Sequence, residues 1–272
     1  MSRLAAFRDV LSRGLGDWKL WVLHAVANPL LFVLFAGWLL IPESSGWQLG
    51  LSFVGVIVLV VAALVLHSST LGYLAGQDRP ASRPFVAAFT RAFRNLIAFA
   101  VCGAAAYLLW SSANLLDVYR ITFPAYLRSV LPEFLRRQVS AEDAADAYTT
   151  VMFVVRWIVW PGLLLPLVAA VACFGFSGFV RGGPVLWRAV RSGFYWLVIA
   201  AAALVGVVLT SALVEWHPLV QDASFAGESI SMAGRFSAAF LMALASWLAA
   251  CSMASVEVRK LCEEAMPAPL LM

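Results

Sequence analysis

The sequence predicts an all-α, polytopic membrane protein, and its composition is the first observation that predicts this class. Of its 272 residues, 62% are apolar and only 12% are charged, and the mean hydropathy is +0.87. A soluble domain carries about 25% charged and roughly 45–50% apolar residues. Disorder is excluded as well, because it requires low hydrophobicity. Lipid is therefore the expected solvent for most of the chain.

Six long apolar stretches are the second observation. A helix that crosses about 30 Å of hydrocarbon needs about 20 mainly apolar residues, and such a helix satisfies its own backbone hydrogen bonds. The predicted spans cover residues 20–41, 49–67, 96–116, 151–180, 194–213 and 236–256. We expect them to form three hairpins within a single integral membrane domain of residues 1–272. The longest connection, the external segment 117–150, lies between the third and fourth spans.

The distribution of Lys and Arg predicts the orientation. With a cytoplasmic N-terminus, 13 cations fall on the cytoplasmic side and 6 on the other, as the positive-inside rule requires. An even number of spans then places both termini in the cytoplasm. Among the 19 cations only Lys19 and Lys260 are lysines, which suggests a GC-rich bacterial genome. The expected location is the bacterial cytoplasmic (inner) membrane.

A short basic segment precedes each odd-numbered span. The three segments contain Ala6-Phe7-Arg8, Ala92-Phe93-Arg94 and Leu186-Trp187-Arg188. The first two place apolar residues on one helical face and arginines on the other. Such helices can lie in the headgroup layer with their cations against anionic lipid. We therefore predict basic amphipathic interfacial helices before spans 1, 3 and 5, with lipid contacts from Arg8, Arg91, Arg94, Arg188 and Arg191.

These three segments, together with Gly16-Asp17-Trp18-Lys19-Leu20-Trp21 at the start of the first span, carry a resemblance. The layout resembles that of uncharacterised bacterial six-span families, including the membrane domain found beside some bacterial glycerophosphodiester phosphodiesterases. In those families basic helices precede transmembrane hairpins. The sequence shows no soluble phosphodiesterase domain, so the resemblance implies an architecture and no activity.

Ionisable residues within spans are the usual indicators of function in membrane proteins. His24 and His67 fall near the cytoplasmic interface and could face each other across the first hairpin. Neutral imidazoles that hydrogen-bond between helices would explain both. Cys102, Cys173 and Cys251 fall at a similar depth, but no paired spacing makes these ligands converge. We predict no metal and no other cofactor.

Arg156 allows two interpretations. It can anchor the external end of the fourth span, with its side chain reaching outward to phosphate or an external carboxylate. It can also read a substrate, because Pro161 and Pro166 free backbone carbonyls in the same span, as in the broken helices of transporters. A permease should enclose a polar cavity that reaches Arg156, Asn28, Asn114 and Ser177, whereas a scaffold should have a filled, apolar interior.

Catalytic and nucleic-acid-binding patterns are absent from the sequence. There is no GxSxG, HExxH, GxGxxG or Walker sequence, and residues 181–184 (RGGP) predict a turn between helices. The net charge of +4 is too small and too scattered for a nucleic-acid surface. The leading hypothesis is a non-enzymatic membrane-embedded accessory or scaffold module that contacts lipid and a partner membrane protein or a second copy. The alternative is a small-solute or lipid permease that uses the proline-containing fourth span.

Overall fold

The computed structural model describes residues 2–42, 44–76, 84–216 and 225–265, and every regular element in these ranges is a helix. In chain order they are α1 (Arg3–Gly16), α2 (Trp18–Leu39), α3 (Gly46–Ala75), α4 (Pro84–Arg94), α5 (Leu96–Asp117), α6 (Thr122–Val130), α7 (Glu133–Arg136), α8 (Ala141–Val154), α9 (Trp160–Phe174), α10 (Ser177–Val190), α11 (Gly193–Ala203), α12 (Thr210–Glu215) and α13 (Phe225–Ala265). A π-helical turn, Val155–Val159, joins α8 to α9, and another, Leu204–Leu209, joins α11 to α12.

Six helices in the described ranges are long and apolar enough to cross a membrane, which confirms the predicted fold class. They are Trp18–Leu39, Gly46–Ala75, Leu96–Asp117, Ala141–Phe174, Gly193–Glu215 and Phe225–Arg259. Large apolar side chains cover their outer surfaces, where Phe32 of α2 is 70% exposed and Phe53 of α3 is 66% exposed. An apolar surface of this extent needs lipid or protein against it. The pairing of the spans as three hairpins stays a prediction.

The two ends of the helix bundle differ in their short helices. Contacts bring α1, α4 and α10 to one end, which we call the arginine-rich face. Tyr73 near the end of α3 donates to Asp17, which follows α1, and stacks on Phe85 of α4. Gly175, just before α10, lies beside Asn95, which follows α4. The short helices α6 and α7 then lie at the opposite face. Arg79 and Arg83, which the sequence also assigned to the arginine-rich side, lie outside the described residues.

The core of the bundle is built around α13. Its residues Leu248, Cys251 and Met253 have no exposed surface, and the helix packs against α1, α3, α9 and α11. On α9 the small residues Ala169 and Ala170 are also fully buried. Small side chains allow membrane helices to approach each other closely, which increases their dispersion contacts. The helices α3, α9 and α13 therefore form a tightly packed frame.

The fourth span ends earlier than the predicted residues 151–180. Its helix ends at Phe174, and Gly175 adopts a φ of +59°, which residues with a side chain rarely adopt. The chain reverses there, and α10 packs back along α9. At Gly178 an added Cβ atom would lie 2.6 Å from the backbone of α9. The close contact of α9 with α10 therefore requires glycine at this position.

The predicted turn at residues 181–184 is wrong, because these residues lie inside α10. Of the two glycines there, Gly182 packs against α9, whereas Gly183 has no neighbour within 4 Å of an added Cβ atom. At Gly182 an added Cβ atom would lie 2.8 Å from the Leu167 side chain on α9. Pro184 is accommodated within the same helix.

A proline in the fourth span leaves a backbone carbonyl that a neighbouring helix satisfies. Pro166 has no N–H to donate to the carbonyl of Gly162, four residues earlier in α9. The hydroxyl of Tyr195, a fully buried residue of α11, donates to that carbonyl at 2.6 Å. The Trp196 ring lies directly over Gly162, where an added Cβ atom would be 2.4 Å from it. Pro166 and Gly162 together thus build the contact between α9 and α11.

Ion pairs at the arginine-rich face join α1 to α13. Asp9 of α1 accepts a hydrogen bond from Arg259 of α13 at 3.1 Å and another from Arg13 at 2.7 Å. Arg3 lies 3.4 Å from the buried carboxylate of Glu257. Burial opposes the ionisation of Asp9, but the hydrogen bonds from Arg259 and Arg13 outweigh it and hold the pKa of Asp9 below its ordinary value of 3.8. One side of α1 is therefore bound to protein.

The helix α4 also contacts protein through its small residues. Ala88 and Ala92 are buried, and the helix packs against α3. The larger apolar residues Val86 and Phe93 are exposed. The outward-facing part of α4 is thus the part available to lipid, and the predicted insertion into the headgroup layer stays a prediction.

Candidate functional site

A partly open cavity of about 440 Å³ lies among α3, α5, α9 and α13. Apolar side chains make up nearly all of its wall, including Leu64 and Leu71 of α3, Phe99 and Cys102 of α5, and Leu164 of α9. Along the fourth span the lining runs from Arg156 to Val168, which is roughly 18 Å at the helical rise per residue. The volume falls within the range of small-molecule sites in proteins.

Four tryptophans line this cavity. Trp157 and Trp160 come from the π-helical turn and the start of α9, Trp110 comes from α5 and Trp247 from α13. The Trp110 and Trp157 rings meet edge to face, with centroids 5.4 Å apart. Stacking of this kind stabilises aromatic pairs beyond the effect of their buried area. This pair therefore joins α5 to the π-helical turn at the wall of the cavity.

Arg156 is the only cation that lines the cavity within the described residues. It lies in the π-helical turn Val155–Val159. Pro161 follows two residues after this turn, and it has no N–H to donate to the carbonyl of Trp157. Such π-helical turns frequently occur at functional sites, because they redirect the side chains of a helix. The irregular turn thus presents one guanidinium to an otherwise apolar space.

The partners of Arg156 engage the guanidinium only weakly. Its Nη2 donates to the carbonyl of Ala113 at 3.4 Å and lies 3.7 Å from the Asp117 carboxylate. The guanidinium carbon lies 5.1 Å from the Trp110 ring centroid, within the range of a cation–π interaction. The Arg156 side chain is 19% exposed and that of Asp117 is 46% exposed. Since Arg has five N–H donors, most of them are left for another partner.

Four residues that line the cavity carry buried nitrogens with no hydrogen-bond partner among the described residues. These atoms are Arg156 Nε, Trp160 Nε1, Trp247 Nε1 and His67 Nδ1. Buried polar atoms are normally paired, and each unpaired one costs about 1–3 kcal/mol. A bound molecule with acceptor atoms would remove part of this cost.

The structure brings His24 and His67 together, with ring centroids 5.8 Å apart. Thr70 uses its hydroxyl proton on the Leu66 carbonyl, so its oxygen accepts from His24 Nε2 at 2.9 Å. His24 Nδ1 then accepts from the Asn28 amide at 3.2 Å. These hydrogen bonds fit a neutral imidazole with its proton on Nε2. His24 and Asn28 thus form a structural pair, and only His67 lines the cavity.

The polar cavity expected of a permease is not present among the described residues. Of the residues predicted to line it, Arg156 does, whereas Asn28 binds His24. Asn114 is exposed on α5. Ser177 is exposed at the start of α10 and donates to the Phe174 carbonyl at 2.8 Å. The apolar cavity also differs from the filled interior expected of a scaffold. The structure therefore matches neither the expectation for a permease nor that for a scaffold.

The five arginines predicted to contact lipid differ in their surroundings. Arg8, Arg94 and Arg191 are exposed, and Arg191 lies 4.1 Å from the Trp187 ring centroid. Arg91 is half-buried. Arg188 is half-buried too, and its Nε and one Nη have no hydrogen-bond partner among the described residues.

The described ranges contain no group of three or more His, Cys, Asp or Glu side chains that could hold a metal ion. Cys102, Cys173 and Cys251 are buried and form no disulfide within the described ranges, and Cys102 lines the cavity. Burial as small apolar side chains accounts for these cysteines.

Several residues of the site carry no signal in the sequence. Trp110 and Trp247 lie on helices far from Arg156 along the chain, and no motif relates them to it. Tyr195 supports the fourth span from α11, and its only sequence signal is the proline at position 166, which leaves a carbonyl in need of a donor. Comparison of the chain with protein-family models, curated proteins and solved structures finds no match.

Proposed function

We propose that this integral membrane protein binds a phosphate-bearing lipid, with its chain in the cavity and its phosphate beside Arg156. The observation that carries the proposal is one underused guanidinium at the end of a long apolar cavity. An apolar wall favours a hydrocarbon chain, whose burial contributes about 0.8 kcal/mol per CH₂ group. A guanidinium favours a phosphate, because it can donate two parallel hydrogen bonds to it.

The proposal selects the lipid-handling form of the permease hypothesis. A small polar solute would leave its hydrogen-bonding groups unpaired against the apolar wall, at about 1–3 kcal/mol for each group. The proposed location is the bacterial cytoplasmic membrane with both termini in the cytoplasm, supported by the 13 to 6 distribution of cations. Arg156 then lies in the external half of the membrane.

The test uses three probes with the same chain and different heads: dodecyl phosphate, dodecanoate and dodecanol. The purified protein in nanodiscs is titrated with each probe, and binding is followed by tryptophan fluorescence. We expect the phosphate to bind most tightly. Arg156→Gln should weaken its binding about tenfold and leave dodecanol binding unchanged. The control Arg120→Gln removes an exposed cation outside the cavity.

A second pair of variants tests the cavity itself. Ala106 lines the cavity, whereas Ala104 is exposed on the same helix. We expect Ala106→Phe to abolish binding of all three probes and Ala104→Phe to have no effect. Equal binding by these two variants would overturn the proposal, as would equal affinity of the wild-type protein for dodecyl phosphate and dodecanol.

A scaffold role is the second candidate, and the exposure of α2 favours it. Within α2 only Leu20 and His24 are buried, and the side that faces away from α3, which includes Val26 and Phe32, is available to a partner helix or a second copy. Photo-crosslinking from Phe32, compared with Leu248 as a buried control outside the cavity, tests this role. Protein adducts at Phe32 would support the scaffold role, and adducts with lipid alone would exclude it for this surface.

A further inference from the structure

A second cavity, of about 760 Å³, lies as a groove at the arginine-rich face among the start of α2, the end of α3 and α4. Its apolar wall comes from Leu23 of α2 and from Phe85, Phe89 and Phe93 of α4. The Phe85 ring stacks on Tyr73 of α3 with centroids 4.3 Å apart, which fixes α4 beside α3. This groove shares no lining residue with the cavity that contains Arg156.

The groove also contains two opposite charges, on Asp17 and Lys19. The Asp17 carboxylate is held in place, because it accepts the Tyr73 hydroxyl and the backbone N–H of Lys19. Each of its oxygens keeps a lone pair for a further donor. The Lys19 ammonium is exposed and has no ion-pair partner among the described residues. The groove thus offers a fixed anion and an unpaired cation two residues apart.

We propose that this groove binds a phospholipid whose headgroup carries a phosphate and a primary ammonium, such as phosphatidylethanolamine. Its phosphate lies at Lys19, its ammonium donates to Asp17, and an acyl chain lies against the phenylalanines of α4. The charges favour this headgroup over others. A purely anionic phospholipid would place its negative charge near Asp17, and a choline headgroup has no N–H to donate to the carboxylate.

The proposal is independent of the one made for the main cavity. It adds a second lipid site, in the leaflet at the arginine-rich face. It also specifies a zwitterionic headgroup, whereas the arginines of α4 alone would favour an anionic lipid. A variant of Arg156 therefore should not change binding in this groove.

The test is a competition among phosphatidylethanolamine, phosphatidylcholine and phosphatidylglycerol with identical acyl chains, with the bound lipid counted by native mass spectrometry. We expect the wild-type protein to retain phosphatidylethanolamine in preference to the other two. Lys19→Gln should reduce its retention about tenfold, because one charge-assisted contact to phosphate is lost. Arg120→Gln, which removes an exposed cation outside both cavities, is the control and should retain it as the wild type does.

Asp17→Asn separates the headgroup preference from the fold. Asparagine caps a helix about as well as aspartate, so α2 still begins at the same position. Loss of the negative charge should shift the preference from phosphatidylethanolamine to phosphatidylglycerol. The proposal is overturned if the wild-type protein retains phosphatidylglycerol or phosphatidylcholine as well as phosphatidylethanolamine, if Lys19→Gln has no effect, or if Asp17→Asn leaves the preference unchanged.

Discussion

Replacement of Tyr195 by Phe tests the hydrogen bond that joins α11 to α9. The substitution removes the hydroxyl that donates to the Gly162 carbonyl at 2.6 Å, and Tyr195 is fully buried. A buried acceptor without a donor costs about 1–3 kcal/mol, whereas hydrogen bonds between membrane helices contribute about 0.6–2 kcal/mol. We expect Tyr195→Phe to lower the free energy of unfolding by about 1–2 kcal/mol, measured by reversible unfolding in mixed micelles.

A second substitution at Pro166 makes the reason for this loss testable. In Pro166→Ala the new backbone N–H can donate to the Gly162 carbonyl within the helix. Tyr195→Phe should then cost less than about 0.5 kcal/mol in the Pro166→Ala background, because the carbonyl has a donor in both proteins. Tyr107, which is 69% exposed, provides the control, and Tyr107→Phe should change stability by less than about 0.5 kcal/mol. Equal costs of Tyr195→Phe in the two backgrounds would refute this account.

Three further predictions concern other contacts. Gly178→Ala should lower the free energy of unfolding by about 1–3 kcal/mol, because the new Cβ would overlap the α9 backbone. The control Gly183→Ala should not destabilise the protein, because no neighbouring atom lies within 4 Å of its Cβ. Equal losses in the two variants would contradict the packing argument. Because the folded-state pKa of Asp9 is lowered, its stabilisation should be present above pH 3.8 and be lost as the pH falls through the folded pKa. Asp9→Asn should remove that step from the profile of unfolding free energy against pH, and an unchanged step would assign it to another group. Ser140→Ala removes the side-chain acceptor of the α8 capping box, so amide hydrogen exchange in the first turn of α8 should accelerate, and unchanged exchange would show that the cap is dispensable.

The spans could be predicted because the requirements for crossing a bilayer are local. Each span needs about 20 residues and a mainly apolar composition. Length and composition can both be determined from consecutive residues of the sequence. The end of the fourth span could not be read this way, since residues 175–180 continue its apolar composition. Glycines at positions 175, 178 and 182 were the available signal, and they mark the reversal and the close packing of α10.

The candidate site could be predicted only in part, because its walls come from four separate helices. Arg156 stands out in the sequence as a charge within an apolar stretch. Its neighbour Trp110 and the more distant Trp247 could not be assigned to the same space, since their proximity depends on how the helices pack. The hydrogen bond between Tyr195 and the Gly162 carbonyl is a similar case. Pro166 indicates in the sequence that this carbonyl lacks a donor, but nothing in the sequence identifies Tyr195 as the donor.

The attachment of α1 to α13 bears on the order in which the protein is assembled. Asp9 and Arg259 are 250 positions apart in the chain. The ribosome therefore completes α1 long before α13, the helix against which α1 mainly packs, has been synthesised. Docking of α1 is thus a late step of biogenesis, and protection of this helix from a protease added during synthesis would mark a finished molecule.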